Sequence, residues 1–199
     1  MSWTTFLYLG NVTLTLPLAC AVAALLLVAR HWRAAGYWLL FFAGALATVG
    51  ISKVAYLGWG TAVPALDFQA LSGHAAGVTA VYPVLFYVLL QGRPGLALGM
   101  AAAGLLLGAG LAATLVATDE HTAAEAGAGW MVGAATAAGT IRVAREAKPP
   151  RPLAGLVAGL LAFATAAWAM QGAHVGYWMI KVALALSGNT RPFQWGCCS

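Results

Sequence analysis

The sequence predicts an all-α integral membrane protein, a single domain of about six transmembrane helices, and three observations predict it. First, 62% of its 199 residues are hydrophobic and only 8% are charged, against roughly 25% charged in a soluble domain. Second, the apolar residues fall in blocks close to the ~20 residues that a helix needs to cross a hydrocarbon core. Third, lysines and arginines recur after every second block, the pattern that marks cytoplasmic loops. The blocks are long and unbroken rather than short and alternating, which excludes a β-barrel.

The elements follow in chain order. The first span, 13–29, is preceded by an uncharged stretch, Met1–Leu9, and no basic residue opens it as one would a signal peptide. "PLAC" before Cys20 matches a lipoprotein cleavage box only loosely, and Cys20 reads as a cysteine within the membrane. Arg30 and Arg33 close this span. The second span, 36–57, carries Lys53 near its far end. The third, 73–90, opens on Ser72-Gly73-His74 and is followed by Arg93; the fourth, 95–117, runs into Asp119-Glu120-His121. The fifth, 122–141, begins with "HTAAE" at its head and is followed by Arg142, Arg145, Lys148 and Arg151. The sixth, 153–170, leads to a tail helix, 177–187, with Lys181, and then to Arg191-Pro192.

The three basic loops alternate with the others and so share one side, the cytoplasm. Both termini and the remaining loops then face outward, toward the periplasm if the membrane is a bacterial inner membrane. The net charge of +5 is absorbed by the cytoplasmic loops, so membrane lipids rather than nucleic acid are the expected partners. Cys197 and Cys198 end the chain as a vicinal pair without metal-ligand spacing.

The outward side holds the residues that topology does not explain. Lys53, Asp67, His74, Asp119, Glu120, His121 and Glu125 come from separate stretches yet reach one membrane face, and include four of the five acids. Ionisable groups at membrane depth are costly and mark function. Ser72 is a good helix N-cap, Gly73 permits close approach to the backbone, and free amides at a helix start attract anions. Lys53 adds a fixed positive charge or snorkels to the interface. His121 and Glu125 are four apart and share a helix face. A carboxylate bonded to one imidazole nitrogen fixes the tautomer and raises the basicity of the other, as a nucleophilic histidine requires. A plain ion pair, a plain cap and solvated loop ends are the competing structural readings. Together the groups suit phosphoryl transfer to an enzyme nucleophile, with no metal and no other cofactor. Asp67, beside Phe68, shapes the loop.

At these residues the chain resembles the type 2 phosphatidic acid phosphatase (PAP2) superfamily of membrane lipid phosphatases. That family carries Lys with a later Arg-Pro, then Pro-Ser-Gly-His, then Ser-Arg-x5-His-x3-Asp. Lys53 is similar to the start of the first motif, "LSGH" (Leu71–His74) to the second, and "HTAAE" (His121–Glu125) to the end of the third. The resemblance implies a PAP2-like helical bundle. It implies that His121 attacks phosphorus, that Glu125 orients it, and that His74 protonates the departing lipid. Lys53, Ser72 and the Gly73 amide would hold the phosphate. The implied activity is hydrolysis of a lipid phosphate or diphosphate, isoprenoid or glycerolipid, through a phosphohistidine at the outer membrane face. Gly60-Thr61 and Thr114-Leu115 stand where the family has Arg-Pro and Ser-Arg. A degenerate, non-catalytic relative that binds lipid headgroups or a partner is therefore the alternative. If the activity survives, Arg191, with Lys181, is expected to replace the absent arginines; the competing reading makes Arg191 an interfacial anchor beside Trp195.

Overall fold

The computed structural model describes residues 3–145 and 152–194; Lys148, Arg151, Trp195, Cys197 and Cys198 lie outside them. Eight α-helices are described: α1 Trp3–Leu7, α2 Val12–Val28, α3 Trp32–Trp59, α4 Gly73–Leu89, α5 Pro94–Ala117, α6 Ala123–Ala144, α7 Pro152–Ala169 and α8 Val175–Ser187. Among the described residues, extended pairing is limited to one antiparallel bridge, Val63 to Phe68.

The helices form a bundle around α4, which packs on α2, α5 and α6. Alanine and glycine make this closeness possible. A Cβ on Gly129 would lie 2.5 Å from the Ser72 carbonyl oxygen, and one on Gly133 would lie 2.6 Å from the Ala76 carbonyl oxygen. On the other side, a Cβ on Gly104 would meet the Pro83 nitrogen at 2.7 Å, and Gly108 lies against Thr79. Helices α5 and α6 thus each bring a pair of glycines four apart onto α4, the spacing that lets helix backbones touch. Helix α7 packs on α2, and α8 on α3.

Hydroxyls within this apolar bundle are mostly satisfied by their own helices. Thr114 donates to the Gly110 carbonyl, Thr136 to Val132 and Thr140 to Thr136, each at 2.9 Å. Trp38 Nε1 donates to the Ala19 carbonyl at 2.9 Å, tying α3 to α2. Apolar residues also cover the outside: Leu106 is 72% exposed, Ile51 70% and Leu40 64%. Such faces suit lipid rather than water.

Two helices, α3 and α5, are long and apolar enough to cross a membrane. A third crossing follows if the segment Trp3–Gly10 and α2, bent by 45°, count as one span. Helices α4, α7 and α8 are apolar but shorter. At 17 residues α4 extends about 26 Å, less than the ~30 Å hydrocarbon core. Enclosed by its neighbours, it has no need to reach both lipid interfaces itself.

Candidate active site

Helix α4 begins where α5 ends and α6 begins, and the loops there enclose a cavity of about 1130 Å³. Lys53, His74, His121 and Glu125 all line it, from α3, α4, the α5–α6 loop and α6. The charge of Lys53 acts on Glu125 and His74, and His74 also feels those of His121 and Glu120.

The most constrained group is Glu125. Its Oε1 accepts from the amides of Gln69 at 2.9 Å and Ala70 at 3.2 Å. Its Oε2 accepts from the Thr122 amide at 3.3 Å and pairs with His121 Nδ1 at 2.7 Å. In return, Thr122 Oγ1 accepts from the Glu125 amide at 3.3 Å, completing a capping box at the start of α6. The Ser72 amide donates to the Glu125 carbonyl at 3.2 Å. One carboxylate therefore caps a helix, clasps the α3–α4 loop and orients a histidine.

With its carboxylate partner deprotonated, Nδ1 of His121 carries a proton and donates it. In the neutral ring Nε2 then keeps its lone pair. Nothing further is needed to make that nitrogen a nucleophile or base. The loop that bears it is wound on one carbonyl: the amides of Glu120 and His121 both donate to Leu115 oxygen, at 3.0 and 3.2 Å.

The other predicted site residues divide. Ser72 is fully buried, and its Oγ accepts from the Ala75 amide at 3.3 Å. It caps α4 and does not line the cavity, nor does Gly73, whose Cα faces Val49. Lys181 and Arg191, expected to replace the absent arginines, do not line this cavity. The Lys181 ammonium sits over the rings of Tyr177, 4.8 Å from its centroid, and Trp178. Arg191 is exposed and borders a separate pocket of about 270 Å³ formed by the tail itself. The physical reason is that the tail is bound to the end of α3. Phe193 donates its amide to the Leu57 carbonyl at 3.0 Å, Asn189 Nδ2 to Gly58 at 2.7 Å, and Tyr56 Oη to the Gln194 carbonyl at 2.6 Å. Leu115, where the resemblance calls for arginine, is 2% exposed and is among the residues that line the cavity.

Asp67 lines the cavity too. It holds a left-handed φ of 46° at the turn closed by the Val63–Phe68 bridge. Sequence reasoning missed Thr4, Leu7, Tyr8 and Asn11, which line the cavity from the N-terminal segment. The Gly10-Asn11 pair was the available signal, since it marks a turn before the first span. Among the described residues, no three His, Cys, Asp or Glu side chains are grouped to hold a metal ion.

A 22.5 kDa protein from the cps region of Klebsiella pneumoniae, described as uncharacterized, is 33% identical over 141 residues, which cover 69% of this chain and 67% of that protein. No family model matches the chain, and no solved structure matches it.

Proposed function

The chain belongs to the same family as the cps-region protein of Klebsiella pneumoniae, and on the geometry of its cavity we propose that it is a membrane phosphatase of lipid phosphates or diphosphates. The observation that supports this most is His121, held by Glu125 through Nδ1, in one cavity with His74 and Lys53. Nε2 attacks phosphorus, an N–P bond forms, and the bond from phosphorus to the lipid oxygen breaks. His74, protonated, passes its proton to that oxygen, and the lipid alcohol departs from a monophosphate, or the lipid monophosphate from a diphosphate. The now neutral His74 takes a proton from water, which displaces phosphate from His121. Orthophosphate leaves and both histidines return to their starting states. Lys53 offsets one phosphate charge equally in the bound substrate and in each transition state, so its contribution is to binding.

In this reading the bundle crosses a bacterial inner membrane six times, with Arg33, Arg93 and Arg145 in the cytoplasm and the cavity on the periplasmic side. The short α4 crosses enclosed by α2, α5 and α6, and α7 crosses beside α2 with Leu156, Leu161 and Trp168 exposed to the lipid. A second reading rests on Leu115. An apolar residue lines the cavity there, where the resemblance calls for a guanidinium, which suits a non-catalytic relative that only binds a lipid headgroup. Phosphate release by the purified protein, measured with an isoprenoid monophosphate, an isoprenoid diphosphate and phosphatidate, separates the two. Release that vanishes in His121→Ala supports the phosphatase. Absence of release from all three, with retained binding of one, leaves the headgroup binder.

A further inference from the structure

We infer that the N-terminal segment Trp3–Gly10 belongs to the site, and that Gly10 is a positioning residue for His74. Gly10 is buried against the first turn of α4. A Cβ there would lie 2.9 Å from both the Cβ and the carbonyl oxygen of His74, and 3.0 Å from its Cα. Two of those three atoms are backbone, so no rotamer of His74 relieves the contact. Only hydrogen at this position lets the segment lie against the histidine.

The segment is held there from both ends. The Asn11 amide donates to the Tyr8 carbonyl at 3.0 Å, and Asn11 Oδ1 accepts from the Thr13 amide at 2.9 Å, which fixes the bend into α2. Tyr82 Oη donates to the Leu9 carbonyl at 3.4 Å. Tyr82 lies eight residues after His74, hence on the same face of α4. The segment therefore runs along the face of α4 that bears the histidine, and α1 rests against α5. Thr4, Leu7 and Tyr8 line the cavity beside His74, where the lipid alcohol would leave.

This rests on the proposed role of His74 as the acid, so the test separates the two. Protonation matters greatly for an alkyl leaving group and little for an aryl one, whose oxyanion is stable. Gly10→Ala is compared with wild type on an alkyl lipid phosphate and on p-nitrophenyl phosphate. Displacing an acid by part of an ångström is expected to cost roughly 10-fold to 100-fold on the alkyl substrate, with the aryl rate nearly kept. Equal losses on both substrates would overturn the assignment. Nitrogen-15 histidine spectra give a readout without turnover: in folded Gly10→Ala the signal lost in His74→Ala should move, while that lost in His121→Ala stays. A stationary His74 signal overturns the inference even if wild type hydrolyses nothing, an outcome that refutes only the phosphatase. Should Gly10→Ala fail to fold, Tyr82→Phe, which releases the Leu9 carbonyl, is read by the same two measurements and should shift both in the same direction by less.

Discussion

Replacing Glu125 by glutamine separates the helix-capping role of this side chain from its role toward His121. Both carboxylate oxygens face donors: two amides at Oε1, and one amide plus His121 Nδ1 at Oε2. A glutamine must turn its NH2 group toward one of those sets. Facing Gln69 and Ala70, it leaves two backbone amides without an acceptor, at about 1–3 kcal/mol each when buried. Facing His121, it leaves only the Thr122 amide unpaired, because the imidazole can shift its proton to Nε2 and accept at Nδ1. The second arrangement costs less and is the one expected. The stability loss is then about 1–3 kcal/mol, yet the nucleophilic lone pair has moved to the wrong nitrogen. Turnover should fall by a factor on the order of 10³–10⁴, the scale seen when a protease triad loses its tautomer-fixing carboxylate. Thermal unfolding in detergent and phosphate release measure the two effects separately. Glu125→Ala should lose more stability, since all four donors are orphaned. Wild-type turnover in Glu125→Gln, or an unchanged melting temperature in Glu125→Ala, would refute the reasoning.

Other substitutions probe the remaining parts. His121→Ala should abolish turnover, and a wild-type sample quenched in acid-free conditions should carry an acid-labile phosphoryl group that the variant lacks. Lys53→Ala should raise KM about 10-fold by removing a charge–charge contact, read from initial rates across substrate concentration. Gly133→Ala should destabilise the bundle by about 1–3 kcal/mol through overpacking on α4, seen as a lower melting temperature, whereas Gly110→Ala, with open space around it, should not. Arg191→Ala should leave turnover within about 2-fold of wild type, as expected of an exposed residue away from the chemistry. Single cysteines at positions 93 and 119, in a background without the native cysteines, should label from opposite sides of the membrane.

Much of the helical layout is legible in the sequence because glycine, proline and basic residues punctuate the apolar blocks. Helix α2 occupies Val12–Val28 where 13–29 is expected, and α5 occupies Pro94–Ala117 where 95–117 is expected. The His121–Glu125 pair is legible because helix spacing alone brings residues four apart together. The amides of Gln69 and Ala70 on the same carboxylate are not, since 56 and 55 residues separate them from Glu125 and no local pattern records a tertiary contact. The segment Trp3–Gly10 escapes for another reason. Its five-residue helix is too short to be stable alone and forms only by packing. The charge a phosphate needs is the ground on which Arg191 and Lys181 are expected at the site. The chain instead follows hydrogen bonds at the end of α3, which such reasoning does not see.

The short, enclosed α4 has a consequence for how the protein answers its bilayer. Helices that touch acyl chains tilt as the membrane thickens or thins; a helix wrapped by protein does not share that adjustment. Helix α4 carries His74, and α6, locked onto it through Gly129 and Gly133, carries Glu125 and holds His121. The reacting groups thus ride on one rigid pair. Lys53 rides instead on α3, whose Ile51 and Leu40 face outward. In vesicles of graded acyl length, substrate capture should drift with lipid thickness while the rate of the chemical step holds steady, so that bilayer composition tunes affinity and leaves the chemistry alone.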